Sequence, residues 1–298
     1  MTWILLSLAS AIFLGVYDVA KKTSVRDNAV PPVLMLNVLT AAAIWGPLVL
    51  LNQVYPDFLG GTFVQTNPIS LQEHGFLLCK STLVAASWTF AFIGLKHLPI
   101  SIATTIRATS PLWTVLIAVT WLGESPNSNQ WLGVAIILLA FFVFSRVGKA
   151  EGIEFRRNRW VGCMLAATLL GALSALYDKF LLQTVGLEPA DVQAWFSIYL
   201  VPVMIPITIY WYRHDRNKTP FIWRWSIPGI AVSLLLADYL YFTALTDEQA
   251  MISIVSPLRR TSILIPFAVG VLWMSEKNWK AKAMCIVAIL GGVILISV

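Results

Sequence analysis

Apolar stretches of roughly 17–24 residues follow one another along the whole chain, separated by short polar segments. A helix of about 20 apolar residues spans the roughly 30 Å hydrocarbon core of a bilayer. The stretches do not alternate with period two, which argues against a membrane barrel. The pattern predicts ten spans, near 3–20, 31–51, 75–95, 99–122, 131–147, 160–182, 190–212, 225–245, 251–275 and 281–298. Pro31-Pro32, Asn67-Pro68, Ser125-Pro126-Asn127 and the segment 215–220 supply the turn chemistry between them. The longest loop, 52–74, holds Gly60-Gly61 and no Lys or Arg, and the polar segment 146–159 joins two halves.

The halves resemble each other. Residues 100–110 read ISIATTIRATS and residues 252–262 read ISIVSPLRRTS, identical at six of eleven positions. Arg107, Thr109 and Ser110 thereby match Arg259, Thr261 and Ser262. Downstream, Trp121 and Glu124 match Trp273 and Glu276, and Trp131 matches Trp279; upstream, Tyr17-Asp18 matches Tyr177-Asp178. Each copy holds five predicted spans. Five is odd, so the second copy enters the membrane in the opposite sense, an arrangement typical of transporter folds. The expected architecture is an all-α integral membrane protein with ten transmembrane helices as two inverted five-helix repeats, 1–148 and 149–298.

Composition agrees with the bilayer as solvent. The chain is 58% hydrophobic and 12% charged, against about 25% charged in a soluble domain. Only helices and closed barrels satisfy their backbone in lipid. The net charge of +6 reads as a topology signal rather than a nucleic-acid footprint. Sixteen Lys and Arg residues fall in the odd-numbered loops, Lys21, Lys22 and Lys282 among them, and none in the even-numbered loops. Charge alone places the odd loops in the cytoplasm and both termini outside. Cys79, Cys163 and Cys285 lie in apolar spans and are expected to be free and buried. His74, His97 and His214 are assigned to loops without ligand spacing, and no metal site or cofactor is expected. The first twenty residues lack a basic segment before the apolar run and read as a retained helix.

On these residues the chain resembles the ten-helix, EamA-like branch of the drug/metabolite transporter superfamily. The likeness rests on the two copies of spans four and five, with their polar helices, the Trp121–Glu124 and Trp273–Glu276 endings and the final apolar helices. It extends over nearly the whole chain, but its motifs are loose. The resemblance implies a central cavity between two repeats and alternating access without ATP. It also implies cytoplasmic termini, opposite to the loop charges, so orientation stays open.

Charged groups at bilayer depth normally face a cavity or a partner, since burial costs at least roughly 2.5–3.5 kcal/mol. Lys80, Arg107, Lys179, Arg259 and Arg260 are the basic residues outside the loops. Arg107 and Arg259 are repeat mates, each about eight residues into its span and so roughly 12 Å deep. They are candidate contacts for an anionic or zwitterionic substrate, or members of structural ion pairs. Asp238, the deepest carboxylate, is a candidate proton site, a contact for a cationic group, or a fixed partner of Arg259. Trp88, Tyr239, Tyr241 and Asn37 are candidate cavity residues, an aromatic set with polar groups that suits an amphipathic metabolite or a cation. Asp178, Tyr177, Asp18 and Tyr17 are candidate gates or coupling groups, although Asp18 can simply pair with Lys21 or Lys22 at helical spacing. Pro111, Pro257 and Pro266 are expected to kink spans four and nine.

No catalytic motif or nucleotide fingerprint is present. The expected activity is secondary transport of a small amphipathic or anionic/zwitterionic metabolite, with spans three, four, eight and nine lining the site and protons a candidate coupling ion. A flippase for lipid-linked headgroups, or a membrane-embedded enzyme, are the alternatives. Expected partners are a small-molecule substrate and the lipid bilayer, with no nucleic acid and no obligatory oligomer. The expected location is the cytoplasmic (inner) membrane, multi-pass.

Overall fold

The computed structural model describes residues 2–55, 58–121, 127–247, 255 and 258–296. Glu124, Ser125, Pro126 and Pro257 lie outside the described residues. Among those described there is no β-strand. The helices are α1 (Thr2–Val25), α2 (Val30–Val54), α3 (Leu71–His97), α4 (Ile100–Ala108), α5 (Ser110–Trp121), α6 (Ser128–Ala150), α7 (Arg159–Lys179), α8 (Pro189–His214), α9 (Ser226–Thr246), α10 (Leu264–Leu272) and α11 (Trp279–Ile296). Seven are long and apolar enough to cross a membrane: α1, α2, α3, α6, α7 with the turn that extends it to Val185, α8 and α9. The protein is a multi-pass membrane protein. Its outward faces carry Leu5, Leu50 and Leu139, each more than 60% exposed, as a lipid-facing surface requires.

Local chemistry starts and stops these helices where the turn residues predict. Prolines occupy the first turns of α2 and α8, where a missing N–H costs nothing. Ser70 and Glu73 form a capping box at α3, and Asn127 and Gln130 form one at α6. The Asn158 carboxamide oxygen accepts from the backbone N–H groups of Trp160 and Val161 at the start of α7. That helix runs on into a π-helical turn, Phe180–Val185, and stops at Gly186, which has a φ of 81°.

The fourth predicted span is broken rather than kinked. The helix ends at Ala108 and restarts at Ser110. Pro111 removes one backbone donor and crowds the Arg107 carbonyl four residues back. The ninth span has a matching irregularity: a 3-10 turn, Thr261–Ile263, precedes α10. Repeat mates perform the same local bond at the two breaks. The Thr109 hydroxyl donates to the Ile106 carbonyl at 2.7 Å, and the Thr261 hydroxyl to the Leu258 carbonyl at 2.6 Å.

The main helix pairings recur when the two halves are exchanged, although α1 also meets α3 without an equally strong counterpart between α7 and α9. Helix α1 packs on α9, as α7 packs on α3; α1 meets α10, as α7 meets α4 and α5; α2 meets α9, as α8 meets α3. The pairs α2 with α8 and α6 with α11 map onto themselves. At the α6–α11 seam, a Cβ on Gly292 would sit 2.9 Å from the Gly133 carbonyl oxygen, so glycine permits this close approach.

The loops sort to two ends. Asn28 binds the backbone of Ile222, Arg224 donates to the Thr23 carbonyl, His97 stacks on Trp160 at 3.7 Å, and Glu151 pairs with Asn278 and Lys282. These contacts join the odd-numbered loops and the helix ends beside them. At the other end Asn67 binds Asp191, and Gln183 donates to the Leu245 carbonyl.

Several sequence assignments need correction. Lys21 and Lys282, counted as loop cations, are 1% and 0% exposed and sit inside α1 and α11. Both persist there because carboxylates lie within reach: Asp18 for the first, Glu151 and Glu276 for the second. Lys22 is also drawn in, donating to the carbonyls of Leu95 and Leu98. His74, His97 and His214 lie on helices, not in loops. Of the three free cysteines only Cys285 is buried; Cys79 is exposed, because its position on α3 turns outward.

Candidate functional site

Three acid-centred ion-pair groups and one cleft hold the candidate residues. In the first half, Asp18 on α1 accepts from Lys21 at 2.7 Å and from Arg107 at 3.3 Å. Lys21 also lies 4.1 Å from the centre of the Tyr17 ring, and Tyr17 is itself 1% exposed. Arg107 reaches Asp18 from the last turn of α4, immediately before the break. In the second half, Arg259 pairs with Asp238 on α9 and covers the Tyr241 ring at 4.0 Å. Asp178 on α7 pairs with Lys80 on α3, whose ammonium sits over Phe196 and Phe242.

The groups are close enough to act on one another. Tyr17 is within electrostatic reach of Asp238 and Arg259 as well as Asp18 and Arg107. Asp18, Asp178 and Asp238 are each compensated by a cation, as a low-dielectric interior demands. Arg260 is different: among the described residues no carboxylate pairs with it, and its Nε is buried without an acceptor. Tyr241 and Asp18 nonetheless lie within its electrostatic reach.

The cleft lies between α2, α3, α8 and α9. Asn37, Trp88, Gln193, Phe196, Ser197 and Asp238 are among the residues that line it. Helices α3 and α9, the third and eighth spans of the expected site, line this cleft together with α2 and α8. The cause is the pairing of α2 with α8, which brings their N-terminal halves against α9 and α3. Trp88 is half-buried and meets Phe196 edge-on. Asn37 and Gln193 are 2% and 1% exposed, and the side-chain oxygen of each has no donor. The orientation of Gln193 is set by its Nε2, which donates to the Leu235 carbonyl at 2.7 Å. The cleft has room for about one water.

The structure thus brings Asn37, Trp88 and Asp238 to one cleft, with Arg259 and Tyr241 behind Asp238. It brings Arg107, Asp18 and Tyr17 together on the α1–α4 side. Two candidates stand apart. Tyr239 packs edge-on to Phe63 of the long loop, and Tyr177 stacks on Phe180 and donates to the Phe76 carbonyl. Tyr17 and Tyr177, matched in sequence, have unlike surroundings.

Residues 1–146 match the EamA-like transporter family. The match places residues 1–146 in that family of membrane transporters, within the drug/metabolite transporter superfamily. A solved structure titled "Crystal structure of protein" is similar to this EamA-like chain in fold, with a TM-score of 0.62 at 18% identity, covering 99% of this chain and 98% of that one. No curated protein matches the sequence.

Sequence reasoning passed over Gln193 and Ser197, and it left Lys80 without a partner. Gln193 and Ser197 recur at a spacing of four in Asp191–Ser197, one helical turn apart and so on one face. That spacing was the available signal. Lys80 and Asp178 are 98 residues apart, and no periodicity links them.

Proposed function

We infer that the protein is a secondary transporter of ten spans, built as inverted repeats of residues 1–148 and 149–298. It moves a small amphipathic metabolite through the cleft between α2, α3, α8 and α9 by alternating access. The carrying observation is the set of main helix pairings that recurs on exchange of the halves. Two such arrangements of nearly equal energy are what alternating access needs, because the cleft can open to either end by the same set of helix contacts. The breaks beside Arg107 and Arg259 add hinges at matched depths. Asp238 is the carboxylate at the cleft, the group on which coupling to protons would fall. The cytoplasmic membrane is the proposed location, with the odd loops inside.

Two measurements test this. Thr62→Cys and Glu154→Cys, each in a background without the native cysteines, are treated with an impermeant maleimide. Labelling from opposite faces is expected; labelling from the same face removes the inverted topology. A metabolite screen then compares vesicles with and without the protein. Selective uptake or efflux of at least one small metabolite without ATP is expected, and identical contents in both vesicle types would overturn the transport reading.

A further inference from the structure

The charge of the cargo can be read from what the cleft lacks. Arg107 and Arg259 drew attention as anion contacts, yet each is held by an aspartate. Among the described residues, the fully buried atoms left without partners at the cleft are acceptors. Asn37 Oδ1 and Gln193 Oε1 are buried with no donor, and they reach the cleft from α2 and α8, which pair with each other across the two halves. Asp238 lines the same cleft and adds a carboxylate. Trp88 supplies an aromatic wall. A buried acceptor left unpaired is costly, so two in one cleft create a demand for N–H donors. A carboxylate or phosphate, which offers only acceptors, would meet like groups there.

We propose that the substrate carries a protonated amine, which binds Asn37 Oδ1 and Gln193 Oε1 beside Trp88 and takes the place of Arg259 on Asp238. This rests on the transporter reading and specifies the cargo of the same cleft. An ammonium has three donors and no acceptor, which fits two carboxamide oxygens and one carboxylate. Its positive charge suits a tryptophan face. Displacing Arg259 frees α9 from the segment preceding α10, and so links occupancy to opening of the ninth span. The Asp238–Arg259 pair becomes a lock that the cargo's own charge releases. The opposite view belongs to Arg260, the cation without a carboxylate among the described residues, which would favour an anion.

The two views differ in the sign of one effect. Purified protein is titrated with phenethylamine, 3-phenylpropionate and 2-phenylethanol, and affinity is read from the ligand-induced shift in melting temperature. The amine is expected to bind at least tenfold more tightly than the other two. In Arg259→Gln the competitor for Asp238 is gone, so amine affinity should rise by about tenfold, in line with an occluded state populated near 90% in the wild type. Asp238→Asn should lose amine binding. Asn37→Leu and Gln193→Leu remove an unpaired acceptor without exposing a charge, and each should weaken the amine about tenfold while the unliganded protein still melts cooperatively. These two variants decide the matter if Arg259→Gln does not fold. Preference for the carboxylate, weaker amine binding in Arg259→Gln, or unchanged binding in both leucine variants overturns the proposal, as does no response to any compound. Failure here, with selective movement of some other metabolite in the vesicle screen, leaves the transporter reading intact and removes only the amine.

Discussion

The first half holds Asp18 with two cations of its own, whereas the second half holds Asp178 and Asp238 with one cation each. Asp18 has Lys21 one turn along its own helix and Arg107 from α4, both within the first repeat. Its sequence mate Asp178 has no such neighbour, and its cation, Lys80, comes from α3 of the other repeat. Asp238 has no acidic mate at all, since Trp88 occupies the matching position, and it is held by Arg259 from the ninth span. The contrast teaches where movement can occur. A doubly held acid inside one repeat makes a rigid unit. Singly held acids across helix boundaries have less to keep their helices together.

The largest expected effect follows from the single partner of Asp178. Lys80→Met leaves that carboxylate buried and uncompensated, and should destabilise the protein by about 3–5 kcal/mol, visible as a large drop in melting temperature in detergent. Lys80→Met combined with Asp178→Leu should recover most of it, because an apolar pair of similar volume carries no desolvation cost. A small effect of the single change would show that the crossing between repeats is not held by this pair.

Packing gives a second contrast, of intermediate size. Gly15 on α1 lies so close to the ninth span that a Cβ would fall 2.7 Å from Ile265 and 3.0 Å from the Ser262 carbonyl oxygen. Its sequence mate on α7 is already Ala175. Gly15→Ala should therefore cost about 1–3 kcal/mol through overpacking, while Ala175→Gly costs no more than about 1 kcal/mol of helix propensity. Equal melting temperatures for the two variants would mean that α1 and α7 stand equally far from their partners.

A smaller loss is expected at Asp18. Arg107→Gln removes one of two cations and a hydrogen bond at the long end of the range, so about 1.5 kcal/mol is the estimate for a charge-assisted bond. Lys21 remains as a second cation on the carboxylate. A loss as large as that in Lys80→Met would break the idea of a doubly held acid.

These particulars also show what one chain read alone can disclose. The long apolar stretches, the prolines opening α2 and α8, and the mated Thr109 and Thr261 were legible because each signal is local. So was the pairing of Asp18 with Lys21, at helical spacing. Lys21 was nonetheless counted as a loop cation, because hydropathy places a boundary where charge begins and not where the helix ends. The partnership of Lys80 with Asp178 and the joining of Gln193 with Asn37 in one cleft depend on how distant helices meet, which leaves no periodic trace. The break at Thr109 was readable as a kink only, since Pro111 specifies lost bonding but not whether neighbouring helices restore it.

The mildest test concerns helix starts. Helix α3 opens with the Ser70–Glu73 capping box, whereas its counterpart α9 begins at Trp225 with no side-chain cap. The cap supplies the Glu73 N–H with an acceptor in Ser70 Oγ, and Glu73 returns a bond to the Ser70 N–H. Ser70→Ala should cost about 1 kcal/mol, and faster amide hydrogen exchange should be confined to the first turn, Leu71–His74. Lys80 lies two turns further in, so its pair with Asp178 should hold, and ligand affinity should stay at the wild-type value. If exchange instead spreads past Lys80, the capped start of α3 is what keeps the contact between the repeats in place, and the asymmetry of the two halves begins at their helix ends rather than at their buried charges.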